Sequence, residues 1–575
     1  MKKINLLAVL FLALAFGFTA CDDDPDPTKT TLTDLSVSGF SVSDGFSDGD
    51  RIYTNIGATI TFEGEGFSPE EAENEVTVGG EAATVTSVSD TELVVEVPEL
   101  AALGLYDVSV TVGDNTFSAA ETFKVFPSNT VFVEAGDIDN ATWTSDNVYV
   151  IDGFVFVGGS LTIDPGTVVM GVTNPFANDN ATSLIISRGA TIDAEGTAQD
   201  PIILTSESDQ EALGGDANLD GTDTKGWAGL IVLGEAVIGA ESSELQIEGI
   251  PDGEDRALYG GTNDADNSGI LKYVSIRFSG AEIGPGDEIQ GLTLGGVGSG
   301  TTIEYIDIFA SSDDGIEIFG GAVNIRYISV AFAEDDSFDF DTGWNGMGQF
   351  LFGIQRSDDA DHGGEWDGAK PDDNPRYVNA RIYNATILGR GKDEATEDES
   401  ESQAILMRDG NAISLYNSII GDFKRRAIQI EDNGEDFDSY DKLIVDGLNE
   451  IGGNIFFELE GSEFVASDLA NSLVVATGSD APWDATAAEV AAHLVANDNI
   501  YLETVAGINP DRTQGSNGLS VVPSAAEATS NIFQPTVDAA ANDNAVVNYK
   551  GAFEPGQAAW INGWTTLSRF GYLAE

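Results

Sequence analysis

Adjacent aspartates are the residues of this chain best suited to chemistry. Asp313-Asp314 and Asp335-Asp336 lie 22 residues apart, and Asp358-Asp359 follows 23 residues later. If the segments that carry them stack, the pairs form a column of carboxylates, with Glu282 at the matching point of an earlier segment. Two unit charges about 5 Å apart repel by roughly 3 kcal/mol at an effective dielectric near 20. A hard divalent cation relieves that repulsion through oxygen ligands, and Ca²⁺ accepts irregular geometry. The pattern therefore predicts calcium as the cofactor, on Glu282, Asp313, Asp314, Asp335, Asp336, Asp358 and Asp359. Hydration and screening of exposed corners, or protonation of some pairs, would relieve the same repulsion without a metal. Arg425-Arg426 takes the place of a pair further on, and Arg390 falls in the intervening segment. The edge would then run from acidic to basic. Guanidinium forks suit carboxylates, so the basic end could hold an anionic ligand group, or simply neutralise the last aspartates.

A second cluster runs from Asp358 to Lys370 and holds His362, one of only two histidines. Here His362 or a carboxylate could act as a general base, with Arg356 or Lys370 on an acidic sugar and Trp366 stacked on a ring. An acidic surface loop with a structural tryptophan is the plainer alternative. The candidate ligand-binding residues are Arg356, His362, Trp366, Lys370, Arg390, Arg425 and Arg426; none is assigned a catalytic role. His493 falls in a helical pattern and is expected to pack or face solvent. The sequence has no Cys/His metal set, no phosphate-binding glycine loop after a strand and no serine-hydrolase elbow.

Something must hold these residues in line, and the sequence repeats around them. Tyr305-Ile306-Asp307-Ile308 lies over Tyr327-Ile328-Ser329-Val330 at the same offset of 22, with further copies at Tyr273-Val274-Ser275-Ile276 and Tyr416-Asn417-Ser418-Ile419. A unit of this length, made of short strands and tight polar corners, predicts one rung of a right-handed parallel β-helix. No rung buries its own apolar face, so stacking at about 4.8 Å must supply both core and backbone partners. Propeller blades need roughly 40–50 residues, which argues against that alternative. The β-helix is expected over residues 127–451. From 452 to 575 the repeat is lost, and this stretch reads as the β-helix end with a small mixed cap, including a helix over Thr486–Ala496 and two tryptophans, Trp560 and Trp564. Earlier, over 33–126, short stretches such as Glu75-Val76-Thr77-Val78 and Tyr106-Asp107-Val108-Ser109-Val110 alternate with period two, the pattern of a β-sandwich. The fold class is thus all-β: an immunoglobulin-like sandwich followed by a parallel β-helix and a cap.

Gly64-Glu65-Gly66-Phe67, Val78-Gly79-Gly80 with Ala82-Ala83, Val97-Pro98, and Gly104 before Tyr106 resemble an IPT/TIG immunoglobulin-like domain. The resemblance implies a spacer or binding module. Lys2-Lys3, the apolar run Ile4–Phe18, and Thr19-Ala20 before Cys21 read as a secretory signal over residues 1–20, since 15 apolar residues are too few to span a bilayer. Small residues before the chain's one cysteine resemble a bacterial lipobox, which implies a lipidated Cys21 at the head of a linker over residues 21–32. Asp22-Asp23-Asp24 resembles the acidic export tag of Bacteroidetes-type surface lipoproteins. Gly158-Gly159-Ser160-Leu161, Ala194-Glu195-Gly196-Thr197 and Gly226-Trp227-Ala228-Gly229-Leu230 resemble β-helix lipoproteins of that group, a resemblance that implies fold and location rather than activity.

Charge narrows the partners. The formal net charge is −73 over 575 residues, which repels nucleic-acid phosphates and favours neutral glycans or cation bridging. β-Helices commonly carry pectin-active lyases and polygalacturonases. The Gly-His-Gly and Arg-x-Lys elements of the polygalacturonases are missing, and the local sequence is Asp361-His362-Gly363-Gly364. The expected function is a non-catalytic glycan- or ligand-binding lipoprotein at the outer membrane or cell surface, beside an outer-membrane transporter in nutrient uptake. The alternatives are an adhesin or envelope-structural protein, and a polysaccharide lyase or glycoside hydrolase. Replacing Cys21 by Ser should release the protein from membranes; unchanged fractionation and lipid labelling would overturn the lipoprotein expectation.

Overall fold

The computed structural model describes residues 35–574 except 49, 102, 178, 285, 394–401, 435–436, 463, 465–471, 479–482 and 537–545. The expectations placed on Cys21 and the acidic residues after it lie outside the described residues.

Alternation in the first segment produces a sandwich. Strands Thr59–Glu65, Asn74–Val78, Glu92–Glu96 and Leu105–Val112 pair antiparallel with their neighbours. Their inward positions, including Ile60, Phe62, Val76, Val78, Leu93, Val95, Val108 and Val110, form one apolar core with Phe67. The sandwich packs on the outer side of the first rungs. Phe46, Tyr53 and Phe126 join Val150, Met170 and Ile203 in a shared cluster, and Lys124 lies 3.6 Å from Glu207 inside that contact.

From Thr130 onward one parallel sheet winds continuously to Leu502. The strands stack into three faces, and Ile/Val/Leu side chains of all three fill the interior. Tyr305 and Tyr327 occupy equivalent points of adjacent rungs, as Ile306↔Ile328 and Ile308↔Val330 pairing requires. Their rings stack at 4.4 Å, and Tyr273 stacks on Tyr305 at the same distance. Ile306, Ile308, Ile328 and Val330 are completely buried. This column turns a tight corner: Tyr273, Tyr305, Tyr327, Phe350, Asn384 and Asn417 all have φ between 49° and 59°. Left-handed backbone costs a non-glycine residue roughly 1–2 kcal/mol, and aromatic stacking returns about 0.5–1.5 kcal/mol per pair. Stacked rings thus largely offset the corner they sit on.

Parallel pairing continues past residue 451, through Ile455–Phe457 and Val474–Thr477 to Ile500–Leu502. The β-helix is therefore about fifty residues longer than the repeat suggested, because the later rungs vary in length while their strands keep register. The expected helix forms as Trp483–Ala496, and its Ala487, Val490, Ala491 and Leu494 join the interior beside the last strands. Beyond Leu502 the chain runs back along one flank. Trp564 and Trp560 meet the edges of Tyr273 and Tyr327, and Phe553 and Phe570 pack on Phe352 and Phe309. So the helix covers the end, and the two tryptophans cover the side.

Changing Ile308 to Asp should bury an uncompensated charge and lower stability by several kcal/mol, read as a collapse of the thermal melting temperature. Ile308→Val, which removes one methyl group, should cost only about 1 kcal/mol. Equal, small effects of both would overturn the placement of Ile308 in the interior.

Candidate functional site

One face of the β-helix is acidic because its outward strand positions are. Strands Leu292–Gly295, Ile316–Phe319, Phe338–Asp341, Glu365–Trp366, Ile405–Met407 and Ile428–Glu431 stack in parallel. Ile316, Ile318, Phe338, Phe340 and Trp366 point inward. Period-two alternation then turns Glu317, Asp339 and Glu365 outward, directly over one another. Asp341 and Asp367 continue the register beside them, above Arg408.

The corner before these strands carries the paired residues. The register places Gln290, Asp314, Asp336, His362, Gln403 and Arg426 in one column, and main-chain bonds between successive rungs hold it: Gly291 N–H to Asp314 O, Gly315 N–H to Asp336 O, Ser337 N–H to His362 O and Gly363 N–H to Gln403 O. Asp313, Asp335, Asp361, Ser402 and Arg425 form the neighbouring column. The carboxylates also clasp the rungs. Asp314 Oδ1 accepts the Asp336 N–H at 2.9 Å, and Asp336 Oδ1 accepts the His362 N–H.

Carboxylate oxygens of Asp313, Asp314 and Asp335 come within 4.8 Å of one another, as do those of Asp314, Glu317 and Asp339. Gln290 bridges two acids, donating to Glu248 at 2.6 Å and Asp313 at 3.2 Å. Burial, reinforced by the facing carboxylates, pushes Asp313 and Glu248 up to about 7; Asp335, which reaches solvent, is raised in the same direction by partial desolvation and by the carboxylates of Asp361 and Glu365. The same causes hold Asp314, Glu317 and Asp339 well above the usual carboxylate range, and burial does so for Asp336 against the opposing pull of His362. Asp367 rises to about 6 through burial, opposed by Arg408, whose Nε donates to Asp367 at 2.6 Å while its Nη2 reaches Glu365. Lys370 donates to Asp341 at 2.8 Å. Clusters of oxygen atoms alone suit a hard divalent cation, which would displace the protons these carboxyls hold.

The structure brings Asp313, Asp314, Asp335, Asp336, His362, Arg425 and Arg426 to this corner and sends the others elsewhere. Asp358 and Asp359 lie in an exposed bulge, where Asp358 pairs with Arg356 and is held below its usual value by that guanidinium. Their expected places belong to Asp361 and His362, because the rung holds extra residues before Asp361. Glu282 sits exposed on a separate antiparallel hairpin, Ala281–Gly284 with Asp287–Ile289. Arg390 lies on another face and donates to the carbonyls of Ala360 and Asp358, while Ser402-Gln403 fills the position expected for it. Trp366 is buried in the interior, so it offers no outward stacking platform. Arg356 also contacts Glu334. Arg425 and Arg426 lie near Glu460, and Arg426 donates to the carbonyl of Ser472 at 2.6 Å. Glu248, Glu317, Asp339 and Asp341 are members of the face that the sequence reading missed, whereas Asp361, Glu365 and Asp367 lie within the cluster it named without being singled out. Glu317 and Asp339 are themselves 22 residues apart, so the same repeat pointed to them.

Two family models match the chain: an IPT/TIG domain over residues 50–125 and a pectate-lyase-like beta helix domain over residues 136–463, more than half of the chain. No curated protein and no solved structure matches it. These two domains together fit an extracellular or surface protein. With a continuous parallel β-helix and that match, the chain belongs to the pectate-lyase-like β-helix family.

Proposed function

We propose that the protein is a lipid-anchored binding module of the outer cell surface, whose acidic face holds Ca²⁺ and binds glycan through it, beside a nutrient-uptake system. The stacked carboxylates carry this reading: Asp313, Asp314 and Asp335 offer three oxygens within 4.8 Å, enough for part of a calcium shell completed by water or sugar hydroxyls. On a protein of charge −73, a bound cation also makes an anionic polymer approachable. A specific observation favours a second reading. Carboxyls poised at about 7, such as Asp313 and Glu248, are matched to general acid–base work, and a glycan-cleaving enzyme would use them. Fold kinship alone does not choose between the two.

Glycan arrays with Ca²⁺ and with chelator separate them, together with product analysis on purified polysaccharides. The binding reading expects glycan retention that needs Ca²⁺ and is lost in Asp313→Asn with Asp335→Asn, without cleavage. Retention indifferent to chelator and to both substitutions would overturn it, and release of oligosaccharide would establish the enzyme.

Stability should report the same face. A carboxyl raised in the fold favours its neutral form, so its contribution is fully present below the unfolded value near 4 and fades as pH rises through its folded value. For Asp313 and Glu248 that value is about 7, and for Asp367 about 6. Without cations, denaturant unfolding should show stability falling between about pH 4 and about pH 7, by about 1.4 kcal/mol per pH unit for each proton lost. Millimolar Ca²⁺ should flatten the slope. A cation-free protein equally stable across that range would show that these carboxyls are not strained.

A further inference from the structure

We propose that His362, Asp336 and Glu365 form a separate metal site of mixed nitrogen and oxygen donors, one rung beyond the oxygen-only cluster, which takes a transition ion such as Zn²⁺ or Co²⁺ in preference to Ca²⁺. His362 is 4% exposed; its Nε2 has no hydrogen-bond partner, while its Nδ1 is ion-paired with carboxylates. A buried ring nitrogen left without a partner, as Nε2 is, is costly. Its Nδ1 nevertheless looks into carboxylates: Asp361 Oδ1 at 2.9 Å, Asp336 Oδ1 at 3.4 Å and Glu365 Oε2 at 3.9 Å. Ligand atoms at about 2.0–2.1 Å from a tetrahedral ion lie about 3.3 Å apart. The Asp336 and Glu365 oxygens stand 3.4 and 3.9 Å from Nδ1, slightly wider than that value, so an ion would draw them in by small side-chain shifts.

The surroundings hold these donors in place. The His362 main chain is fixed on both sides, its N–H on Asp336 Oδ1 and its carbonyl accepting from Gln355 Nε2 at 2.7 Å. Arg408 engages Glu365 through Oε1, which leaves Oε2 turned to the histidine. Asp361, a further donor, accepts the Ser402 N–H at 3.1 Å. The donor set then decides the ion. Imidazole suits Zn²⁺, Co²⁺ and Ni²⁺, whereas Ca²⁺ prefers oxygen throughout. The inference does not rest on the calcium reading, since Asp313 and Asp335 are not ligands here.

The chain's two histidines make the test direct. In the whole protein freed of metal by chelation, long-range nitrogen–proton NMR of the imidazoles should show two rings. Adding Zn²⁺ should shift the Nδ1 signal of His362 and leave His493, which contacts Asn497 at 3.0 Å, unchanged. Co²⁺ should give visible absorption of a low-coordinate site. His362→Asn should abolish that absorption, and Glu365→Gln should weaken Zn²⁺ binding by more than about tenfold, since even outer-sphere partners cost 10–100-fold. Circular dichroism and the Ca²⁺ titration of His362→Asn should match the unsubstituted protein, which separates lost ligation from lost folding and from failure of the calcium site. Zn²⁺ that moves neither ring, or Co²⁺ spectra identical with and without His362, would overturn the site and leave a buried histidine paired with carboxylates alone.

Discussion

Main-chain hydrogen bonding between rungs, at a strand spacing of about 4.8 Å, is the constraint from which the rest of this molecule follows. It fixes the distance between equivalent residues whatever their chemistry. Where the repeated residue is tyrosine, the spacing favours the fold: Tyr273, Tyr305 and Tyr327 stack face to face and support a corner that would otherwise be strained. Where the repeated residue is aspartate, the same spacing works against it. Each close pair repels by roughly 3 kcal/mol at an effective dielectric near 20. The chain offsets part of this with main-chain N–H groups on Asp314 and Asp336, with the Gln290 amide, and with Arg408 and Lys370. The remaining cost appears as carboxyls that hold their protons to unusually high pH.

A β-helix must also protect its flanks, and outward apolar or charged residues need cover. The sandwich supplies it at the first rungs, where Lys124 and Tyr53 both reach Glu207. The C-terminal chain supplies it further along. Asp307 faces outward yet is wholly buried, and Thr566 donates to it twice, at 2.8 and 2.7 Å. Arg277, equally buried, pairs at 2.7 Å with Glu211 of the turn after Ile202–Ser206, and Arg569 of the C-terminal chain binds that same carboxylate at 2.6 Å. A buried charge that lost such a partner would destabilise the rung strongly, so the tail is part of the fold rather than an appendage.

Much of this was legible in the sequence, for a physical reason. Constant rung length makes equivalent residues recur at constant offset, so Tyr305 over Tyr327 and Asp313-Asp314 over Asp335-Asp336 followed directly from the offset of 22. Legibility ended where rung length changed. The next rung places Asp361, not Asp358, under Asp335, an interval of 26. In a run of Asp-Asp-Ala-Asp-His, composition gives no sign of which residues are extra. Strand alternation does give one: Glu365 outward and Trp366 inward fix the register and would have moved the column to Asp361-His362. The flank-covering role of Trp560 and Trp564 had no such local signal, because it depends on contacts across more than two hundred residues.

A scaffold that stacks like on like multiplies whatever each rung carries, but recognition and catalysis need a point of difference. Here the corner column changes along its length, from Gln290 through Asp314 and Asp336 to His362, Gln403 and Arg426. Below His362 the neighbours are acids; above it they are an amide and a guanidinium. His362 stands where the sign of the local field reverses, buried, with its Nδ1 on carboxylates and its Nε2 without a partner. Repeated acidic rungs alone would give a row of similar, exchangeable cation positions. The first rung after the 22-residue repeat breaks is therefore the place where this column gains a position unlike its acidic neighbours, and a distinct ligand preference has its physical basis in that break rather than in the repeat itself.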